Sequence, residues 1–193
     1  MTATSGYYTE DITGTNYDWG RYHSSDIKNG GGYNGWYTLS SDEWTWLIGP
    51  TKSPNPGTNC RNVSNSLSDQ ARFTLAIIDN TYKGMIIFPD TYTHPEGATI
   101  TGATYNTYSA YTATLTMDDW NKMENAGAIF LPVAGFRNNT TIRYTDYSSN
   151  YVGEYWSTTK NGTNYTTMYI KNNQISYYGE SVYKGCAVRL VRE

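Results

Sequence analysis

Apolar residues fall in short, separated runs along this chain, and the spacing inside each run predicts its element. Trp44, Leu47 and Ile48 stand at i, i+3 and i+4, one buried stripe of a helix. Trp120 and Met123 repeat that spacing further on. The polar residues ahead of both stripes match. Leu39-Ser40-Ser41-Asp42-Glu43-Trp44 and Leu115-Thr116-Met117-Asp118-Asp119-Trp120 each put a hydroxyl at an N-cap. A carboxylate three residues on can reach back to the cap's own N–H and suits the positive helix end. Gly49-Pro50 and Gly127 stop the two helices.

Strand patterns fill much of the remainder. Residues 73–78 and 83–88 flank Asp79-Asn80, which predicts a hairpin. The continuous apolar run 128–133 reads as a central strand. Thr166, Met168 and Ile170 alternate with Thr167 and Tyr169, which predicts one inward and one outward face. Asn172-Asn173 tolerates positive φ and turns the chain into 174–178. Residues 187–191 make the last strand. Two short helices, small antiparallel sheets and long irregular loops predict a single α+β domain over 1–193. Residues 1–35, with Gly30-Gly31-Gly32, read as irregular connection anchored by Trp19 and Trp36.

Composition changes this picture at the C-terminal third. Tyr144, Tyr147, Tyr151, Tyr155, Tyr165, Tyr169, Tyr177, Tyr178 and Tyr183 are interleaved there with Asn, Ser, Thr and Gly. Tyrosine gives large amphipathic contact area at low rotamer cost, and the small polar residues give adaptable hydrogen bonds, as in antibody-type paratopes. Tyrosine also favours strands and half-buried sites, which accounts for Tyr169 and Tyr155. It accounts less well for Tyr177, Tyr178 and Tyr183, which lack alternation and are expected at the surface. Trp44, Trp120 and Trp156 read as core.

The charge pattern narrows the partners. Net charge is −3 and no basic run exists, so nucleic acid and anionic membrane surfaces are not expected partners. No apolar stretch approaches the ~20 residues of a transmembrane helix. Met1-Thr2-Ala3-Thr4-Ser5-Gly6 lacks the basic and apolar regions of a signal peptide. An intracellular protein, a virion part and a chain with an upstream segment removed all remain open.

Several motifs keep a recognisable order. Trp19-Gly20, Trp36, Leu39-Ser40 and Glu43-Trp44-x-x-Leu47 come first. Phe73 and Gly84-Met85-Ile86-Ile87-Phe88-Pro89-Asp90 follow. Then come Trp120, Met123-Glu124, Gly127-Ala128-Ile129-Phe130-Leu131-Pro132-Val133-Ala134-Gly135-Phe136-Arg137, and Gly153-Glu154-Tyr155-Trp156-Ser157-Thr158-Thr159. The series closes on Gly185-Cys186-Ala187-Val188-Arg189-Leu190-Val191-Arg192. From about Trp19 onward the chain resembles the Fibrobacter succinogenes major paralogous domain, a C-type-lectin-like domain of bacterial surface and phage-associated proteins.

The resemblance implies a C-type-lectin-like fold, with an irregular region that displays a ligand-binding face. It also implies a bacterial cell-surface or phage-virion setting. Some members look like targets of diversity-generating retroelements, and the segment 158–184 is rich in the residues such mutagenesis produces. The family's first strand pairs with its last. Here only about 18 residues precede Trp19, an atypical N-terminal segment. Tyr7-Tyr8-Thr9-Glu10 stands in for that strand, or the last strand is unpaired and invites another chain, giving an oligomer.

Candidate chemistry is sparse. The calcium motifs of sugar-binding C-type lectins are absent; Asp90 and Glu96 read as loop residues, solvated or capping. His23 and His94 have no zinc-ligand companions in sequence. No cofactor or metal is expected. Cys60 and Cys186 match no redox spacing. They read as unrelated buried thiols, with a disulfide left open. Asn62, Asn138, Asn139, Asn161 and Asn164 fit glycosylation sequons, but a bacterial or phage protein is expected to carry no glycan there.

The sequence therefore predicts a non-catalytic domain that binds a macromolecular partner, a protein receptor, through 150–185. The expected contacts are Tyr151, Asn161, Asn164, Tyr165, Tyr169, Tyr177, Tyr178 and Tyr183. Two alternatives stand beside this. One is a carbohydrate-binding module, with surface glycan as partner. The other is an oxidoreductase of the formylglycine-generating type, which needs a reactive thiol pair and would use Cys60 beside Arg61.

Overall fold

The computed structural model describes residues 12, 13, 15, 18, 20, 35–49, 60–108, 111–145, 150–171 and 174–192. Among these residues the strands and α-helices are, in order, β1 (Trp36–Thr38) and α1 (Ser41–Ile48), then β2 (Phe73–Ile78), β3 (Tyr82–Ile87) and β4 (Ala113–Leu115). Next come α2 (Met117–Asn125), β5 (Ile129–Pro132), β6 (Phe136–Asn138) and β7 (Thr141–Arg143). Three longer strands follow, β8 (Val152–Asn161), β9 (Asn164–Lys171) and β10 (Gln174–Glu180), before β11 (Leu190–Arg192). Among the described residues the architecture is α+β, mostly sheet, with two short α-helices.

Both helices start where the hydroxyl–carboxylate pattern places them. Ser40 accepts from the Glu43 N–H while Glu43 accepts from the Ser40 N–H, and Thr116 and Asp119 do the same. Gly49 (φ 124°) ends α1 and Gly127 (φ 96°) follows α2. Trp44, Ile48, Trp120 and Met123 are buried, as their spacing predicts, and Leu47 packs against the core's edge.

The four-stranded sheet has the order β4-β2-β3-β5. The predicted hairpin is β2–β3, with Asp79 and Asn80 both at positive φ in its turn. Residues alternate between two cores. Phe73, Leu75, Met85 and Leu131 join Trp44 and Ile48 of α1, whereas Ala76, Ile78, Ile86 and Phe88 join Trp120 and Met123 of α2. A sheet covered on both faces reads as continuous apolar runs.

That explains one correction. The run 128–133 is not a central strand: β5 lies at the sheet's edge and leaves Ile129 exposed. Leu131 faces one core and Phe130 the other, so two-sided cover alone makes the run apolar.

The last strand also departs from expectation. β11 is three residues, 190–192, and pairs antiparallel with β1 through Trp36↔Arg192 and Thr38↔Leu190. It therefore has a strand partner within the chain, which removes the argument for association through an unpaired terminal strand. Tyr7 to Glu10 lie outside the described residues. Asp18 anchors this region, its carboxylate accepting the N–H groups of Gly20 and Thr38.

Arg61 ties α1 to the four-stranded sheet. It is buried and donates to the carbonyls of Leu47, Arg72 and Phe88, while its guanidinium pairs with Asp90. That gives Asp90 a structural role. Cys60 and Cys186 are not joined by a disulfide, and both are partly buried rather than buried.

Candidate functional site: the tyrosine-bearing sheet and its rim

The three-stranded sheet β10-β9-β8 carries every residue of the predicted contact set except Tyr151 and Tyr183, which flank it. Its registers decide where each side chain goes. On one face Tyr155, Met168, Ile170, Ile175 and Tyr177 point into the core under α1. The Tyr155 hydroxyl donates to the Pro132 carbonyl at 2.6 Å. The Tyr177 hydroxyl donates to the Gly49 carbonyl at 2.9 Å and lies 3.3 Å from that of Trp44. Burial raises both phenols' pKa above the ordinary value. Tyr177 is partly buried, packed against the core with its hydroxyl at the end of α1, and is not an open surface contact.

The opposite face was expected to be open, and it is closed. Glu154 pairs with Tyr169, and Tyr169 with Ser176, so these side chains share that face. Tyr169 and Tyr178 stack there with ring centroids 5.2 Å apart. After β10 the chain crosses this face to the free edge of β8, where Ala187 bridges Tyr155 and Gly185 bridges Arg137. On the way Lys184 and Cys186 both reach the Glu154 carboxylate. Residues 181–187 thus form a strap over the sheet, leaving Tyr169 only 7% exposed and Tyr178 half-buried. The sequence does not signal this, because alternation reports a strand's own period and not a distant segment lying across it.

A buried charge cluster holds the strap. Lys184 Nζ lies 3.1 and 3.0 Å from the two Glu154 oxygens, and 2.8 Å from Glu180. It also sits 4.0 Å over the Phe136 ring. Glu154 is 1% exposed. Burial pushes its pKa above the ordinary carboxylate range, more than Lys184 and the Cys186 hydrogen bond pull it down. Burial opposes the Lys184 charge, but Glu180 and Glu154 together hold its pKa above the usual value. Burial, then the Glu154 charge, push the Cys186 thiol up, away from the thiolate.

The remaining predicted contacts separate to two ends of the sheet. Asn161, Asn164 and Tyr165 sit at the β8–β9 turn. A Cβ on Gly179 would lie 3.1–3.4 Å from Asn161 and Asn164, so β10 packs close behind them. Tyr151 stands at the other end, before β8. Ten residues at ~3.3 Å each put about 30 Å between the two groups, so one compact contact does not cover both.

The Tyr151 end is the more developed surface. Tyr151 bridges Thr145, and Val152 N–H donates to the Tyr144 carbonyl at 3.1 Å. Gly135 bridges Gly153, and Arg137 bridges Gly185, two residues after Tyr183. Exposed Tyr144 (59%), Tyr151 (45%), Tyr183 (50%) and Ile142 (60%) all lie within a few residues of these bridges. Gly135 makes the approach possible. Its φ is +75°, and a Cβ there would fall 2.2 Å from the Arg143 carbonyl oxygen. The Lys83 ammonium lies 3.9 Å from the Tyr151 ring centroid, a cation–π contact. Lys83 and Ile142 carry no sequence signal for this role, since β3 and the β6–β7 hairpin reach the rim only through tertiary pairing.

Elsewhere the described residues line two further surface grooves. One, about 340 Å³, is lined by Asp79, Asn80, Thr99, Thr101, Thr114, Leu115, Thr116 and Asp119. The other, about 520 Å³, runs past Trp120, Phe130, Glu124 and Arg189. Among the described residues no three His, Cys, Asp or Glu side chains converge as metal ligands, and no helix is long and apolar enough to cross a membrane.

Comparison with protein-family models, with curated proteins and with solved structures gave no match to this chain.

Proposed function

We propose that this is a ligand-display domain, C-type-lectin-like in plan, that binds a protein receptor through the rim around the start of β8. The setting we propose is a bacterial surface or a phage particle, with the tyrosine-rich segment open to retroelement diversification. The observation that supports the reading best is the grouping of exposed Tyr144, Tyr151 and Tyr183 on ladders fixed to a buried scaffold. Large rings on rigid backbone are what interfaces use as anchors, because little rotamer entropy is lost on contact.

The reading predicts the behaviour of a Tyr144→Ala/Tyr151→Ala/Tyr183→Ala variant. Labelled domain is added to a panel of intact bacterial strains, untreated or shaved with proteinase K. Wild type binds untreated cells of at least one strain and loses them after shaving. The variant binds at least about tenfold less at unchanged thermal stability. Equal binding by the variant contradicts the reading.

The groove lined by threonine hydroxyls, Asp79 and Asn80 favours a second reading, saccharide binding. Saturable binding on a glycan array, insensitive to the three tyrosine substitutions, is the outcome that selects it.

A further inference from the structure

The rim differs in charge from the chain that carries it. The protein is net −3, and the described stretches 133–145, 150–153 and 183–185 carry Arg137, Arg143 and Lys184 and no Asp or Glu, while Asp146 lies outside the described residues. Lys83 stands over Tyr151, and Arg137 is exposed on β6 with its guanidinium donating to the Asn139 carbonyl at 2.8 Å. Among the described residues, the Glu154 and Glu180 carboxylates are both engaged by Lys184. Two cations, Lys83 and Arg137, therefore stand in the rim that carries the exposed rings.

We propose that the partner meets this rim with carboxylates, as an acidic segment of a protein surface. The proposal rests on the reading of the rim as the binding face. A carboxylate set against Arg137 gains charge-assisted hydrogen bonds from a planar fork. A second, above Tyr151, meets the Lys83 ammonium already aligned on the ring. Complementary charge of this kind steers encounter and selects among partners, while the rings supply contact area. Nucleic acid is the weaker fit. Such grooves align many cations along a backbone track, and this rim has two anchor cations among tyrosines and Ile142.

The test is an unbiased random-peptide display selection on the domain, read by sequencing, followed by binding of the selected peptides to variants. Heparin and oligo-dT serve as anionic probes without peptide. The expected result is enrichment of Asp and Glu beside apolar residues. Those peptides should bind Lys83→Glu/Arg137→Glu at least about tenfold more weakly, and more weakly again as salt is raised. They should also lose affinity for Tyr144→Ala/Tyr151→Ala. Selected peptides that are not acidic, and that fail on the tyrosine variant but bind the charge-reversed one normally, overturn the acidic partner and leave the rim reading intact. Peptides indifferent to both variants overturn both. Retention on heparin or oligo-dT with no peptide selected overturns the proposal in favour of a polyanion site.

Discussion

Tyr177→Ala is expected to lower folding stability by about 3 kcal/mol, the low end of the range for deleting a large ring, because this ring is partly buried against the core. The ring packs against the core beneath α1, and its hydroxyl serves the Gly49 carbonyl where α1 ends. Alanine removes the packing and leaves that carbonyl without its donor. Tyr177→Phe separates the two contributions, because it keeps the ring and loses only the hydrogen bond, about 1 kcal/mol. Tyr183→Ala, at an exposed position, should stay within about 0.5 kcal/mol of wild type. Urea unfolding followed by tryptophan fluorescence checks all three through the midpoint. If Tyr177→Ala unfolds at the wild-type midpoint, the ring is not core and the sheet's faces are wrongly assigned.

Lys184→Met carries the second large effect, about 3–5 kcal/mol at neutral pH. It removes one partner of a buried pair and leaves Glu154 charged in an apolar setting beside Tyr169 and Tyr178. The pH dependence has a definite sign. Burial places the folded pKa of Glu154 above its unfolded value. The folded chain therefore keeps this proton to higher pH than the unfolded chain does. Stability from this group is present below the unfolded pKa and falls as pH rises through the interval between the two values. Lys184 pulls the folded value down, so its loss moves the upper limit of that interval higher. The deficit of Lys184→Met should be largest at neutral pH and above, and should shrink on acidification toward pH ~4.5, near the ordinary glutamate value. Glu154→Gln/Lys184→Met should recover most of the loss, because no charge is left stranded. A deficit that stays constant from pH 4.5 to 8 contradicts the assignment.

Both effects mark where the sequence was a good guide and where it was not. Local chemistry was legible. Ser40 with Glu43, Thr116 with Asp119, Gly49 and Gly127 each act through neighbours within a few residues, so their pattern placed both helices. The Asp79-Asn80 hairpin was legible for the same reason. The edge position of β5 was not, because an apolar run records cover on two faces and not the number of strand neighbours. The partner of β11 lay hidden in Trp36–Thr38, a three-residue strand too short to show a period. In the candidate site, composition located the tyrosines but not their direction. Tyr177 and Tyr178 are adjacent, so the pleat alone sends one into the core and the other under the strap. That strap depends on Glu154 meeting Lys184 across thirty residues, a contact no local pattern encodes. The rim is likewise assembled from β3, the β6–β7 hairpin and the start of β8, which meet only after folding.

The central claim is that the tyrosines divide into a structural set and a displayed set. Limited nitration of the native domain by tetranitromethane, mapped by peptide mass spectrometry, measures that division without any ligand. Tyr144, Tyr151 and Tyr183 should modify first, while Tyr155, Tyr169 and Tyr177 stay protected until the domain is unfolded. Early modification of Tyr177 or Tyr169, or protection of the three rim tyrosines in the native state, would contradict it.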